Sequence, residues 1–212
     1  MKAFYPKARF LKIPNRIGSH SNLLELLPLF YTEAHEMEKE RVDLRLIELV
    51  IAQDRKAQFQ LFELTKRMVY SLAFRILNDE DTAHDVLQDT YVKVFQEIRN
   101  LKHPEALISW MKTITARKAI EKGRKKFRFE ELSAAEDQVE DHFESWFDAE
   151  LLDQAIRTLP PGSRAVFMLV AVEGYPHLEA SRMLGISEST SKSQLNYAKK
   201  LLKTRIKTLL QA

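Results

Sequence analysis

Cysteine is absent from the 212-residue chain. That excludes disulfides, thiol nucleophiles and cysteine-ligated zinc, and it suits a reducing cytosol. Glycine is scarce: only Gly18, Gly123, Gly162, Gly174 and Gly185 occur, and none builds a dinucleotide or phosphate-loop fingerprint. A membrane-length apolar run is also missing. The most apolar early stretch, residues 23–31, is broken by Glu25 and Pro28, too short and too polar for a span or a clean signal peptide. The histidines (His20, His35, His84, His103, His142 and His177) are scattered and form no His-Glu-x-x-His motif. No catalytic, cofactor-binding or metal-ligating residue is assigned. The carboxylates of Asp79, Glu80 and Asp81 could in principle hold a metal, but a capped, solvated turn is the better reading of them. Strand-like alternation is absent, so the expected fold is all-α, in two helical domains.

Charge is present in quantity but nearly balanced, at a net +3. Its order along the chain is more telling. Residues 112–128 hold eight Lys/Arg against one acid, Glu121; residues 130–150 hold nine acids and no Lys or Arg; residues 186–212 hold six Lys/Arg against Glu188. Two cationic surfaces separated by an acidic connection point to contact with a polyanion at two places.

The apolar pattern supplies the organisation. Residues 1–41 are an extension, with a basic arm over 1–20 that looks mobile and one or two short helices beyond it, interrupted at Pro28. Helical spacing begins at Leu44, Ile47, Val50 and Ile51. Asp54 is placed to cap the next helix, which carries Ala57, Leu61, Leu64, Met68, Tyr70, Leu72, Ile76 and Leu77. The run Asn78-Asp79-Glu80-Asp81 stops that helix and starts another. Its apolar side is Ala83, Val86, Leu87, Thr90, Val94, Phe95 and Ile98, and Asp85, Gln88, Asp89, Tyr91, Lys93 and Gln96 are read as facing outward. A break over 100–104 precedes a fourth helix that ends near Gly123. Residues 127–149 form an acidic linker whose Phe143, Trp146 and Phe147 are expected to dock on something. From 150 to 212 the pattern is helical, with breaks at Pro160-Pro161-Gly162, Gly174–Pro176 and Gly185–Ser187.

The turn Leu184-Gly185-Ile186-Ser187 lies between two short helical patterns, the second of which becomes basic. This is the layout of a helix-turn-helix, whose second helix enters the major groove. Ser187 suits the cap, and Ser189, Lys192, Ser193, Asn196, Lys199 and Lys200 are expected to face outward. A helical hairpin with a solvated basic face would give the same turn. Upstream, Trp110, Lys112, Arg117, Lys118, Lys122, Arg124, Lys125 and Lys126 combine an aromatic with cations, the chemistry of sequence-tolerant single-strand binding. Core packing is the simpler reading of Trp110 by itself.

These features in this order resemble the extracytoplasmic-function (ECF) group of the bacterial sigma-70 family over residues 44–206, three quarters of the chain. AFRILNDEDTAHDVLQDTYVKVF (73–95) is similar to the region 2 helix that docks on the polymerase clamp. Residues 155–200 are similar to region 4, which reads the −35 element, and residues 108–126 resemble the strand-opening, −10 recognition segment. The resemblance implies domains at 42–126 and 150–212, an acidic linker threading the nucleic-acid path, and a bacterial cytoplasmic location. It places Asp85, Val86, Gln88, Asp89 and Tyr91 at the core polymerase. It places Asn100, Leu101, Lys102 and His103 at a flipped −10 base, with Trp110, Lys112, Arg117 and Lys118 beside it. Lys192, Ser193, Asn196, Tyr197 and Lys199 fall on the −35 helix. The implied partners are core RNA polymerase, promoter DNA (duplex at −35, single-stranded at −10) and an anti-sigma factor, with no cofactor and no membrane insertion.

The chain also departs from the family pattern. Relatives often read T-V-K-S-R-L-x-R-A, where this chain has Gln194 and Tyr197 in place of two arginines; weaker phosphate grip at −35 is expected. Val170 stands where a basic residue is common. Ala180 stands where a bulkier Ile is usual, which predicts looser packing. Residues 1–41 have no counterpart in the minimal pattern and read as a regulatory arm or a misplaced start. Three rival functions remain at this stage: a stand-alone helix-turn-helix regulator, an enzyme such as a nuclease, and an adaptor descended from a sigma factor.

Overall fold

The computed structural model describes residues 42–129 and 149–210. The basic arm at 1–20, the helices expected over 21–41 and the docking of Phe143, Trp146 and Phe147 all lie outside the described residues. Among the described residues every regular element is helical. The order is α1 (Leu44–Ile51), α2 (Arg55–Leu77), α3 (Glu80–Glu97), two 3₁₀ turns (Ile98–Asn100 and Pro104–Ala106), α4 (Leu107–Gly123), α5 (Ala149–Arg157), α6 (Pro161–Phe167), a π turn (Met168–Val172), α7 (His177–Leu184) and α8 (Glu188–Leu210). None of the described helices is long and apolar enough to cross a membrane. They divide between two compact units, α1–α4 in one, and α5, α6, α8 and the start of α7 in the other.

In the first unit α2, α3 and α4 pack against one another in all three pairings, and α1 lies on α2. Local chemistry sets the boundaries. The Asp43 carboxylate accepts from the Leu46 N–H at 2.7 Å and starts α1. Asp54 accepts from the Ala57 N–H at 2.8 Å and starts α2, as its position in the sequence predicts. Asn78 ends α2 in the left-handed region at φ 52°, where asparagine is tolerated better than most side chains. Asp79 then caps α3 through the Thr82 N–H at 2.9 Å, with Glu80 and Asp81 in the first turn, where the helix dipole favours acids. The core is apolar: Leu61, Val69, Val94, Ile98, Leu107 and Met111 are almost wholly removed from solvent. Burying side chains of this kind stabilises by roughly 1.5–3 kcal/mol each.

The second unit is built on α8. Leu195, Ala198, Leu202 and Ile206 are all buried and recur at three- and four-residue spacing, which places them on one stripe. Helices α5 and α6 pack on α8. Pro161 opens α6 at the position where its missing N–H costs nothing. The expected break therefore falls before Pro161, and Gly162 belongs to the helix, buried. The apolar run 168–172, expected to continue as helix, forms a π turn in which the Glu173 N–H reaches the Met168 carbonyl at 3.0 Å. Arg164 is buried and donates to the Leu159 carbonyl at 2.8 Å. Burial draws its pKa down to about 10, which leaves it charged at neutral pH.

The α3 cap offers a direct test of how much this boundary contributes. Asp79→Ala removes the Thr82 bond and the exposed Lys126 pair, and unfolding in urea should show a loss of about 1 kcal/mol, nearly all of it from the cap. Lys126→Ala should cost much less. Equal losses would place the energy in the ion pair.

Candidate nucleic-acid interface

The α7–α8 junction has the geometry of a helix-turn-helix. Gly185 sits at φ 70°, a left-handed conformation that side chains disfavour. The Ile186 N–H reaches back to the Ser181 carbonyl at 3.0 Å, closing α7. Ser187 then starts α8, its hydroxyl oxygen accepting from the Thr190 N–H at 2.9 Å. The two helices are joined by a further bond between His177 Nδ1 and the Ser191 hydroxyl at 2.9 Å. On α8, Lys192 and Asn196 are exposed, and Ser193, Tyr197 and Lys199 are half-buried. The Ser193 hydroxyl donates to the Thr190 carbonyl at 3.1 Å, which leaves its oxygen to accept. Lys192 pairs with Glu188 one turn earlier at 2.7 Å.

Gln194 is placed otherwise than the family comparison of the sequence suggests. It is 2% exposed, and its amide oxygen accepts from the Ser163 hydroxyl of α6 at 2.6 Å. It lies on the buried side of α8, away from the exposed Lys192 and Asn196. Ala180 is fully buried.

In the first unit, Asn100, at the end of the first 3₁₀ turn, and Lys102 and His103, on the loop after it, stand exposed, with Leu101 half-buried. His103 Nδ1 lies 3.1 Å from Glu105 Oε1. On α4, Trp110 is half-buried and packs against the core. Arg117 is exposed seven residues on, along the same stripe, and Lys112 and Lys118 are half-buried. Lys118 pairs with Glu121 at 3.2 Å, Lys122 with Asp89 at 3.2 Å and Lys126 with Asp79 at 2.8 Å. The Asp89 carboxylate raises the Lys122 pKa, while the Lys126 ammonium and the Thr82 bonds hold Asp79 well below the ordinary carboxylate range.

Two residues that the resemblance places at the polymerase face are buried, and the outward reading of Tyr91 is corrected. Val86 is fully buried, and Tyr91 is 5% exposed with its hydroxyl 2.6 Å from Thr65 Oγ1 and its ring edge-on to Phe62 at 4.9 Å. Both follow the inward stripe of α3, and Tyr91 turns inward because Thr65 gives its polar tip a buried partner. The outward stripe is Asp85, Gln88, Val92 and Gln96, with Asp89 at its edge. Val92, 57% exposed, was missed; its signal is an apolar residue four places after Gln88 on a polar stripe. Among the described residues no group of three or more His, Asp or Glu could hold a metal.

Residues 61–129 match the family model of sigma-70 region 2, and residues 149–202 match that of sigma-70, region 4. ECF RNA polymerase sigma factor SigM of Mycobacterium tuberculosis is 29% identical over 157 residues, 73% of this chain and 80% of that protein. The chain belongs to the ECF group of the sigma-70 family. As a sigma factor it directs RNA polymerase to promoters, and it acts by binding, without catalysis. RNA polymerase sigma factor SigV of Bacillus subtilis is 27% identical over 146 residues, covering 66% of this chain and 86% of that one. Among solved structures, the sigma factor RpoE in complex with the anti-sigma factor NepR from Bartonella quintana aligns with a TM-score of 0.44 at 20% identity, over 70% of this chain and 95% of that one. The α2–α4 segment is thus region 2 and the α5–α8 segment region 4.

His177 gives region 4 a measurable pH signature. Desolvation, then Lys192 and Lys199, push its pKa below 6.5, with Glu188 opposing. The unfolded chain therefore binds this proton more readily than the folded one. Stability is fully present above pH 6.5 and falls as pH drops from there toward the lowered folded value. From about pH 7.5 to about pH 5.5 the thermal midpoint of the wild type should fall more steeply than that of His177→Gln. Parallel curves would remove His177 as the source.

Proposed function

We propose that this ECF sigma factor divides promoter recognition between three exposed surfaces. The outward stripe of α3, with Asp85, Gln88 and Asp89, docks on core polymerase. The loop Asn100, Leu101, Lys102 and His103 captures an unstacked −10 base, with Trp110, Lys112, Arg117 and Lys118 holding the strand beside it. Lys192, Ser193, Asn196, Tyr197 and Lys199 read the −35 element as duplex. The observation that carries this reading is the helix-turn-helix of region 4, with a capped, outward-facing polar and basic helix, in the same chain as a region 2 bundle that exposes an aromatic and cations.

The physical division of labour follows. Extruding a base costs a few kcal/mol, which pocket contacts at a loop can offset. Holding both elements through one polymerase-bound chain raises the effective concentration of each contact, so each surface can be weak alone. The working boundaries are 42–126 for region 2, 127–149 for the acidic linker and 150–212 for region 4. The linker's carboxylates keep it out of duplex sites and let it run along the nucleic-acid path. An anti-sigma factor completes the set of partners, as the resemblance to the ECF group implies, and the surfaces it would cover are those that meet polymerase and DNA.

The deciding experiment is transcription in vitro with purified core polymerase and genomic promoter fragments. Protein-dependent runoff transcripts are expected; tight duplex binding without polymerase and without transcripts would mark a free-standing regulator instead. Asp85→Lys should abolish co-purification with core polymerase while the circular dichroism spectrum stays unchanged, since Asp85 is exposed. Asp89→Lys is a poorer probe, because it would also repel Lys122. The double change Lys192→Ala with Asn196→Ala should weaken binding to the −35 element by about 1–3 kcal/mol per lost base contact. A shift confined to −10 preference would overturn that assignment.

A further inference from the structure

Glu188 is the only acid between residues 186 and 212, and it stands at the first position of α8. Its side chain is 44% exposed, and its Oε1 lies 2.7 Å from Lys192 Nζ. Glu188, Lys192 and Asn196 follow at four-residue intervals and are all exposed, so they form one outward stripe. Along that stripe the chemistry runs acceptor, donor, then both. The N-terminal residues of a recognition helix are the ones that meet base edges. In the major groove a glutamate accepts from the cytosine N4 amino group, and a lysine donates to guanine O6 and N7.

An unpaired acid there would be repelled by the phosphates. Lys192 removes that obstacle: the pair is neutral as a unit. The carboxylate is held in its ionised form by Lys192, which lowers its pKa. An acid in the first turn also suits the helix dipole, and the four-residue spacing suits its pair with Lys192; neither accounts for Asn196 completing the stripe.

We infer that Glu188 is a specificity-determining residue of the −35 contact, accepting from a cytosine N4 amino group while Lys192 donates to a neighbouring guanine. The inference rests on the proposed role of α8 as the −35 reader. A reader of this kind favours a C beside a G at the position under the start of α8. It also discriminates against thymine, which offers an acceptor and a methyl group where cytosine offers a donor.

The test uses the full chain assembled with core polymerase, selecting from promoter fragments randomised across the −35 element. The wild type should select cytosine at one position. Glu188→Ala should lose that preference, by about tenfold, at that position alone. Glu188→Gln, which keeps the shape, should move the preference toward adenine, the base that glutamine pairs with bidentately. If the alanine and glutamine profiles superimpose on the wild type, the inference is overturned, even where overall affinity rises from loss of the acid. No cytosine selected by the wild type overturns it as well. A wild type that transcribes without any −35 preference would also defeat the proposed role of α8, a result distinguishable from the other two.

Discussion

α8 commits one stripe to Leu195, Ala198, Leu202 and Ile206. What remains on its other side is all that the proposed −35 reading has to work with. The same constraint acts on α3, where Val86 and Val94 go inward and Asp85, Gln88 and Val92 are left to solvent. It acts again on α4, where Met111 and Ala119 are buried and Arg117 is not. The working surfaces are therefore complements of the cores. Their residue order is fixed by the three- and four-residue spacing of the buried side chains.

Short-range chemistry makes much of this legible in the sequence. Asp54, Asn78, Asp79, Gly185 and Ser187 mark helix ends because each acts on backbone groups within a few residues of itself. The helix boundaries and the helix-turn-helix turn were readable for that reason, while region 2 was legible only through the resemblance of residues 73–95 to its family. Tyr91 was misread because its hydroxyl suggests a wet position, while its partner Thr65 lies 26 residues away in sequence. The burial of Gln194 is illegible for the same reason, its partner Ser163 being 31 residues distant. The π turn at Met168–Val172 has no compositional mark, since a continuous apolar run fits several helical pitches equally well. Val92 was overlooked because a valine on a helix is expected to be inside.

Counting charge along the chain also overstates the cationic surface near Trp110. Of the eight basic residues between 112 and 128, Lys118, Lys122 and Lys126 are each within 3.2 Å of a carboxylate. Such exposed pairs contribute little to stability. Their larger effect is on the field: they offset part of the positive potential and leave Arg117, Arg124, Lys125 and Arg128 exposed on this block. Two of the three acids, Asp79 at the cap of α3 and Asp89 within it, belong to the element that carries the proposed polymerase face, so that element also tunes the helix that carries the proposed strand face.

The hydrogen bond between Ser163 and Gln194 has a consequence for engineering. Recognition helices look like exchangeable parts, to be grafted from one relative to another to change the promoter read. In this chain the graft would not be modular. A donor helix with arginine at position 194 would carry a cation into a site that admits almost no solvent and faces a serine hydroxyl. The cost of stripping water from the guanidinium would fall on the fold of region 4. The transplantable unit is α8 together with the α6 residues that back it.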